Sequence, residues 1–187
     1  GSSLLLVRAV IGGAPCSVAS KMGVWVTGYE SDPDLLKAAA ERTLHSNVAK
    51  RVRIAAWEPE APSFERGYYH HGLALEPLRE GQLEPTFAAL TAALKPLGHL
   101  VMLETVADKP LDPTDPVVVA WQRLEGRRLD RLPSEVAITR ALGRLGFDVR
   151  IVEDVSRRHI HQAVAGWRDA VRGMEQAKPN HREAVNL

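Results

Sequence analysis

The chain has 187 residues, of which 45% are hydrophobic and 25% charged, with a formal net charge of +1. This is the balance of an ordinary globular protein of one domain, long enough to bury a core, and the near-zero charge gives no reason to expect nucleic acid as a partner. A single cysteine, Cys16, excludes an internal disulfide and leaves too few thiols for a zinc site, so a reducing, cytoplasmic setting is expected. No apolar run approaches the ~20 residues of a membrane span. Leu4–Ile11 lacks a basic leader and carries Arg8 in its middle, so it reads as a core strand and not a signal peptide.

That first run is strand-length and rich in branched side chains. Gly12-Gly13-Ala14-Pro15 breaks it, and Cys16–Met22 has room for about two helical turns. Val24–Tyr29 reads as a second strand, closed by the carboxylate of Glu30. A strand, a glycine turn, a helix and a strand ending in an acid commonly hold a nucleotide-type cofactor: the turn lets backbone approach the ligand and the acid accepts hydrogen bonds from ribose. Asp32 suits a helix N-cap and Pro33 the first helical position, with the helix running to about His45. Val52–Trp57 predicts a third strand, followed by a proline-broken loop at 58–62. A fourth strand, Tyr68–Leu75, ends at Glu76-Pro77. Leu83, Phe87, Leu90 and Leu94 repeat at helical spacing, and Lys95-Pro96-Leu97-Gly98 turns that helix into the strand His99–Glu104.

Residues 107–133, punctuated by Pro110, Pro113, Pro116 and Pro133, are too long for a plain connection and read as a lid-like insertion with a short helix around Val117–Leu124. Ser134 caps a helix ended by Gly146, and Phe147–Val152 predicts a sixth strand. A last helix sets Ile160, Ala163, Val164, Trp167, Val171 and Met174 on one face. The polar tail 178–187 is expected to be flexible. The alternation predicts an α/β fold over residues 1–177: a single domain, three-layer and doubly wound, with a mainly parallel sheet of about six strands and helices on both faces.

Several of these segments, in this order, resemble the class I, Rossmann-like S-adenosylmethionine (SAM)-dependent methyltransferases. Val10-Ile11-Gly12-Gly13-Ala14-Pro15-Cys16 stands where that family has its glycine motif, and Val26–Ser31 where the second-strand acid takes the ribose hydroxyls. Ala56-Trp57-Glu58 resembles the segment whose acid faces the adenine amine. Tyr69–Leu75 is similar to the fourth strand, under the methionine end of SAM, and Leu94–Leu100 to the Pro-Gly turn into strand five. The departures are specific: the family's first acid falls on Val10, later glycines on Ala14 and Cys16, and the aspartate opening strand four on His70. The family's seventh, antiparallel strand has no candidate, so either the sheet has six strands or more chain or a partner completes it.

The resemblance implies SAM as cofactor, with Gly12, Gly13, Ala14, Glu30, Ser31, Trp57, Glu58 and Leu75 as cofactor-binding residues and a small molecule as methyl acceptor. Methyl transfer from a sulfonium is largely a matter of positioning and desolvation, and a base is needed only if the acceptor must lose a proton. His70, His71, Glu76 and Glu104 are the candidates, the two glutamates by their place at strand carboxyl ends and the histidines by their usual basicity. His70 and His71 also fit strand-edge residues bonded to backbone, and Trp57 an adenine stack or a pocket wall. No metal, nucleic acid or membrane partner is expected, and a homodimer is an open expectation. The alternative reading is a catalytically weak or inactive methyltransferase-like protein acting through binding or protein contacts. A nicotinamide-dependent oxidoreductase is a third.

Overall fold

The computed structural model describes residues 1–177; the tail at 178–187 lies outside the described residues. The chain divides into two compact units, Gly1–Asp148 and the segment from Val149 onward. In the first, five strands form one parallel sheet: β1 (Ser3–Val7), β2 (Trp25–Glu30), β3 (Val52–Ala56), β4 (Tyr69–Leu75) and β5 (Leu94–Leu103). Their spatial order is β3-β2-β1-β4-β5. The helices are α1 (Gly13–Met22), α2 (Pro33–Leu44), α3 (Leu83–Ala93), α4 (Pro116–Glu125) and α5 (Glu135–Arg144), with α6 (Ser156–Ala177) in the second unit.

β1 lies at the centre because its residues are apolar on both faces. Leu5 and Val7 pack into a cluster with Phe87 and Leu90 of α3 and Ile138 and Leu142 of α5. Leu4 and Leu6 face the other way, onto Ala19 of α1 and onto Val26, Val48 and Val52. A strand covered on both sides needs a continuous apolar run, not an alternating one. Each such side chain, fully buried, stabilises the fold by about 1.5–3 kcal/mol. α2 starts where the sequence places it: the Asp32 carboxylate accepts from the N–H groups of Asp34 and Leu35 at 2.8 and 3.0 Å, with Pro33 at the first helical position. Ser134 caps α5 in the same way, accepting from Ala137 N–H.

Three elements differ from expectation. β1 ends at Val7, not Ile11, because Arg8 takes a left-handed backbone (φ 64°) that no strand can continue. β5 begins directly after α3: the Pro96-Leu97-Gly98 break becomes a bulge, with Tyr69 opposite Leu94 and His71 opposite His99. Segment 147–152 takes no regular structure, so the described sheet has five strands. Its alternation is strand-like, but a strand exists only with a neighbour to take its backbone hydrogen bonds; Phe147 instead packs against the core. In the second unit, α6 carries Ile160, Val164, Trp167, Val171 and Met174 as an exposed apolar stripe at the expected spacing.

Gly12 caps α1 at φ 78°, and a Cβ there would lie 3.0 Å from the Ala39 carbonyl of α2. Gly12→Ala is therefore expected to destabilise the protein by about 1–3 kcal/mol. Gly13→Ala, with nothing within 4 Å of its Cβ, should change stability little. Urea denaturation of the two variants checks the contrast.

Candidate functional site

In an open parallel sheet the ligand crevice lies beyond the strand carboxyl ends where strand order reverses. Here that point is between β1 and β4. Beside it, at the end of β2, Glu30 is only 1% exposed. Its Oε2 accepts from Val10 N–H at 2.6 Å, and its Oε1 from the N–H groups of Ser31 and Asp32 at 3.0 and 3.2 Å. The acid therefore points inward and clamps the β1–α1 turn. A carboxylate offers about four lone-pair sites, and three are engaged by this backbone.

The turn itself is strained. Arg8 and Val10 adopt positive φ there, as does Glu76 just after β4; these are three of the four non-glycine residues of the described chain that do so. Such backbone costs on the order of 1–3 kcal/mol per residue and collects at functional sites. Its consequence is a bridge across the switch point: Arg8, after β1, donates Nη1 to Glu76 Oε2, after β4, at 2.9 Å. The insertion closes over this pair. Arg127 donates to Glu76 Oε1 at 3.2 Å, Thr105 donates its hydroxyl to the same oxygen at 2.7 Å, and Arg79 pairs with Glu125 at the end of α4.

The two glutamates at the strand ends are driven apart electrostatically. Burial acts to raise Glu76, but the Thr105 hydroxyl and the Arg127 and Arg8 guanidiniums outweigh it and hold the carboxyl below the usual range. Burial pushes Glu104 above the usual range, reinforced by the nearby Glu76 charge and opposed by bonds from the Leu78 and Thr105 N–H groups. The opposite shifts follow from unlike surroundings: Glu76 is ion-paired, and Glu104 is buried beside a like charge.

The structure gathers some of the expected residues and separates others. Gly12, Gly13, Glu30, Ser31, Glu58, Leu75, Glu76 and Glu104 all stand at or next to strand carboxyl ends or in the first turn, with Ala14 one residue into α1. Trp57 follows β3 but is 4% exposed, stacking on Phe64 at 5.9 Å within the core. His70 and His71 lie near the amino end of β4, opposite Ser3, Leu4 and His99; six residues of strand put His70 about 20 Å from Glu76. One ring nitrogen of His70 faces Ser3 N–H and Oγ, and the other lies 3.1 Å from Lys95 Nζ. Arg8, Arg79, Glu125 and Arg127 were not expected. Only Arg8 left a trace in the sequence, as a charge inside an apolar run. Two surface cavities, of about 310 and 640 Å³, sit at the opposite edge, around Lys50 and Arg51.

No protein-family model matches this sequence, and no curated protein matches it either. Solved structures do. Phosphoethanolamine N-methyltransferase 2 of Haemonchus contortus, in complex with S-adenosyl-L-methionine, is 19% identical over 100% of this chain and 42% of its own, with a TM-score of 0.79. Geranyl diphosphate C-methyltransferase of Streptomyces coelicolor A3(2), with S-adenosyl-L-homocysteine, is 16% identical over 77% of this chain and 54% of its own, at 0.66. The 4+2 cyclase SpnF is 21% identical over 84% and 55%, at 0.69. The fold is thus that of the class I SAM-dependent methyltransferases. This chain spans about half the length of those it resembles. Among the described residues no helix is long and apolar enough to cross a membrane.

Two outcomes follow from this geometry. Glu30→Ala leaves the Val10, Ser31 and Asp32 N–H groups without their acceptor and should destabilise the protein by about 1–3 kcal/mol, measured by chemical denaturation. Partial desolvation and the Lys95 charge, with His71 adding to them, hold His70 below its ordinary value. The unfolded chain therefore binds this proton more readily, and stability should be full above about pH 6.5 and fall as the pH drops below it. His70→Gln should flatten the melting temperature between pH 7 and 5; an unchanged slope refutes the assignment.

Proposed function

We propose that this chain forms the cofactor-binding core of a SAM-dependent methyltransferase acting on a small-molecule acceptor. The observation behind the reading is the buried Glu30 carboxylate, at the end of β2 and in contact with the turn that follows β1. Carboxylate oxygens in that position suit ribose hydroxyls, and Ser31, Glu58 and Leu75 lie along the same edge. The cofactor would supply a methyl group on a sulfonium centre. The chain would contribute positioning, exclusion of water by the insertion, and Glu104 as proton acceptor where the acceptor substrate must lose a proton. A reducing, cytoplasmic setting with no nucleic-acid partner belongs to the same proposal.

Binding at this crevice requires two exchanges: a ribose hydroxyl for Val10 N–H on Glu30, and separation of Arg8 from Glu76. The second costs on the order of 1 kcal/mol for a partly exposed pair, about fivefold in affinity. Those same contacts favour a second reading, a methyltransferase-like protein that acts through binding or protein contacts without turnover. Here Glu30 would serve the turn alone, and Arg8, Val10 and Ile11 would stand where a ligand needs bare backbone.

Calorimetry with SAM and with S-adenosylhomocysteine separates the two. The first reading expects saturable binding of both, tightened several-fold in Glu76→Gln, where the Arg8 bridge is weakened. No heat with either ligand, in the native protein and in Glu76→Gln alike, rejects it and leaves the second.

A further inference from the structure

We propose that the Arg127 guanidinium is an anion subsite of the crevice, suited to a carboxylate or phosphate oxygen of the ligand that enters it. The inference rests on the reading of the crevice as a small-molecule site. Arg127 sits just after α4, in the insertion, and its side chain is 11% exposed. Its Nη2 donates to Glu76 at 3.2 Å, but its Nε–H is buried with no acceptor. The Glu125 carboxylate is 3.7 Å from that nitrogen, beyond bonding distance. A buried donor on a charged group left unpaired is costly, and a guanidinium is built to give two parallel bonds to one carboxylate or phosphate.

The neighbouring charges do not meet that need. Glu76 is divided among Arg8, Arg127 and the Thr105 hydroxyl. Glu125 is taken by Arg79, which bonds both its carboxylate and its carbonyl oxygen. Glu104 is turned to the N–H groups of Leu78 and Thr105. Three guanidiniums therefore share two carboxylates, and none makes a bidentate fork with either. An incoming anion would complete the Nε–H of Arg127 and relieve the sharing at Glu76. It would do so at the carboxyl ends of β1 and β4, where small ligands of open sheets bind.

The test is a titration of the intact protein with inorganic phosphate alone, followed by the arginine Nε–Hε resonances in a nitrogen-15 spectrum. Acetate run in parallel distinguishes a carboxylate from a phosphate preference. The expected result is a saturable shift of the Arg127 signal, at least tenfold weaker binding in Arg127→Lys, and several-fold tighter binding in Glu76→Gln, which removes the competing charge. Equal binding in Arg127→Lys and the native protein overturns the proposal. So does a loss of binding in Glu76→Gln, a variant that keeps Arg127 and its size of neighbour. Anion binding without any response to SAM would retain the subsite and reject the methyltransferase reading. A response to SAM with none to phosphate or acetate would reject the subsite alone.

Discussion

A buried carboxylate holds the working end of this sheet together. Glu30 is removed from water at the end of β2, which is tolerable only because backbone N–H groups replace the lost hydration. Three of them do, from Val10, Ser31 and Asp32. The bond to Val10 ties the β1–α1 turn to the second strand, and the bonds to Ser31 and Asp32 fix the start of α2. The strands align β1 and β2 in parallel register up to Tyr29; Glu30 extends that order into the loops beyond. On the proposed reading a ribose would need the same oxygens, so structural and ligand-binding roles would compete for one set of lone pairs.

The clamp explains why strain persists next to it. With Val10 N–H fixed on Glu30 and Gly12 N–H on the Ala9 carbonyl at 2.8 Å, the turn from Arg8 to Gly12 has little freedom left. Left-handed backbone at Arg8 and Val10 is then over-determined by its surroundings, as such conformations must be to survive. The reversal at Arg8 also redirects its side chain. One residue further along an ordinary strand it would lie on a sheet face; here it spans the switch point to Glu76. The insertion then docks on a charge that the turn has already placed.

Much of the architecture could be read from the residues because its causes are local. Asp32-Pro33 caps a helix through its own side chain, and the apolar run Leu4–Val7 requires a doubly covered strand. Where the cause is non-local the reading stops. Nothing near Arg8 announces a positive φ, since the reason lies at Glu30 and Glu76. Residues 147–152 have a strand's alternation, but alternation cannot supply a neighbouring strand. Trp57 reads as available for stacking, but Phe64, itself met edge-on by Tyr29, already stacks on it. The charged cluster joins positions 8, 76, 79, 125 and 127. No motif spacing encodes such a set, because it exists only once β1, β4 and the insertion have met.

The fold alone does not choose the chemistry: methyltransferases and a cyclase share it with this chain. The choice of side chains at the crevice says more. Partly exposed ion pairs contribute little net stability, and well-packed apolar residues of similar size often hold two segments together at least as firmly. An insertion meant only to stay docked would need no guanidinium at Arg127, still less one with an unpaired N–H. What charges provide over apolar contacts is a contact that water or another anion can replace at modest cost. On the proposed reading, the arrangement at Glu76 would suit an insertion that opens to admit a ligand and closes over it. An apolar seal over the same strands would have favoured a permanently filled core.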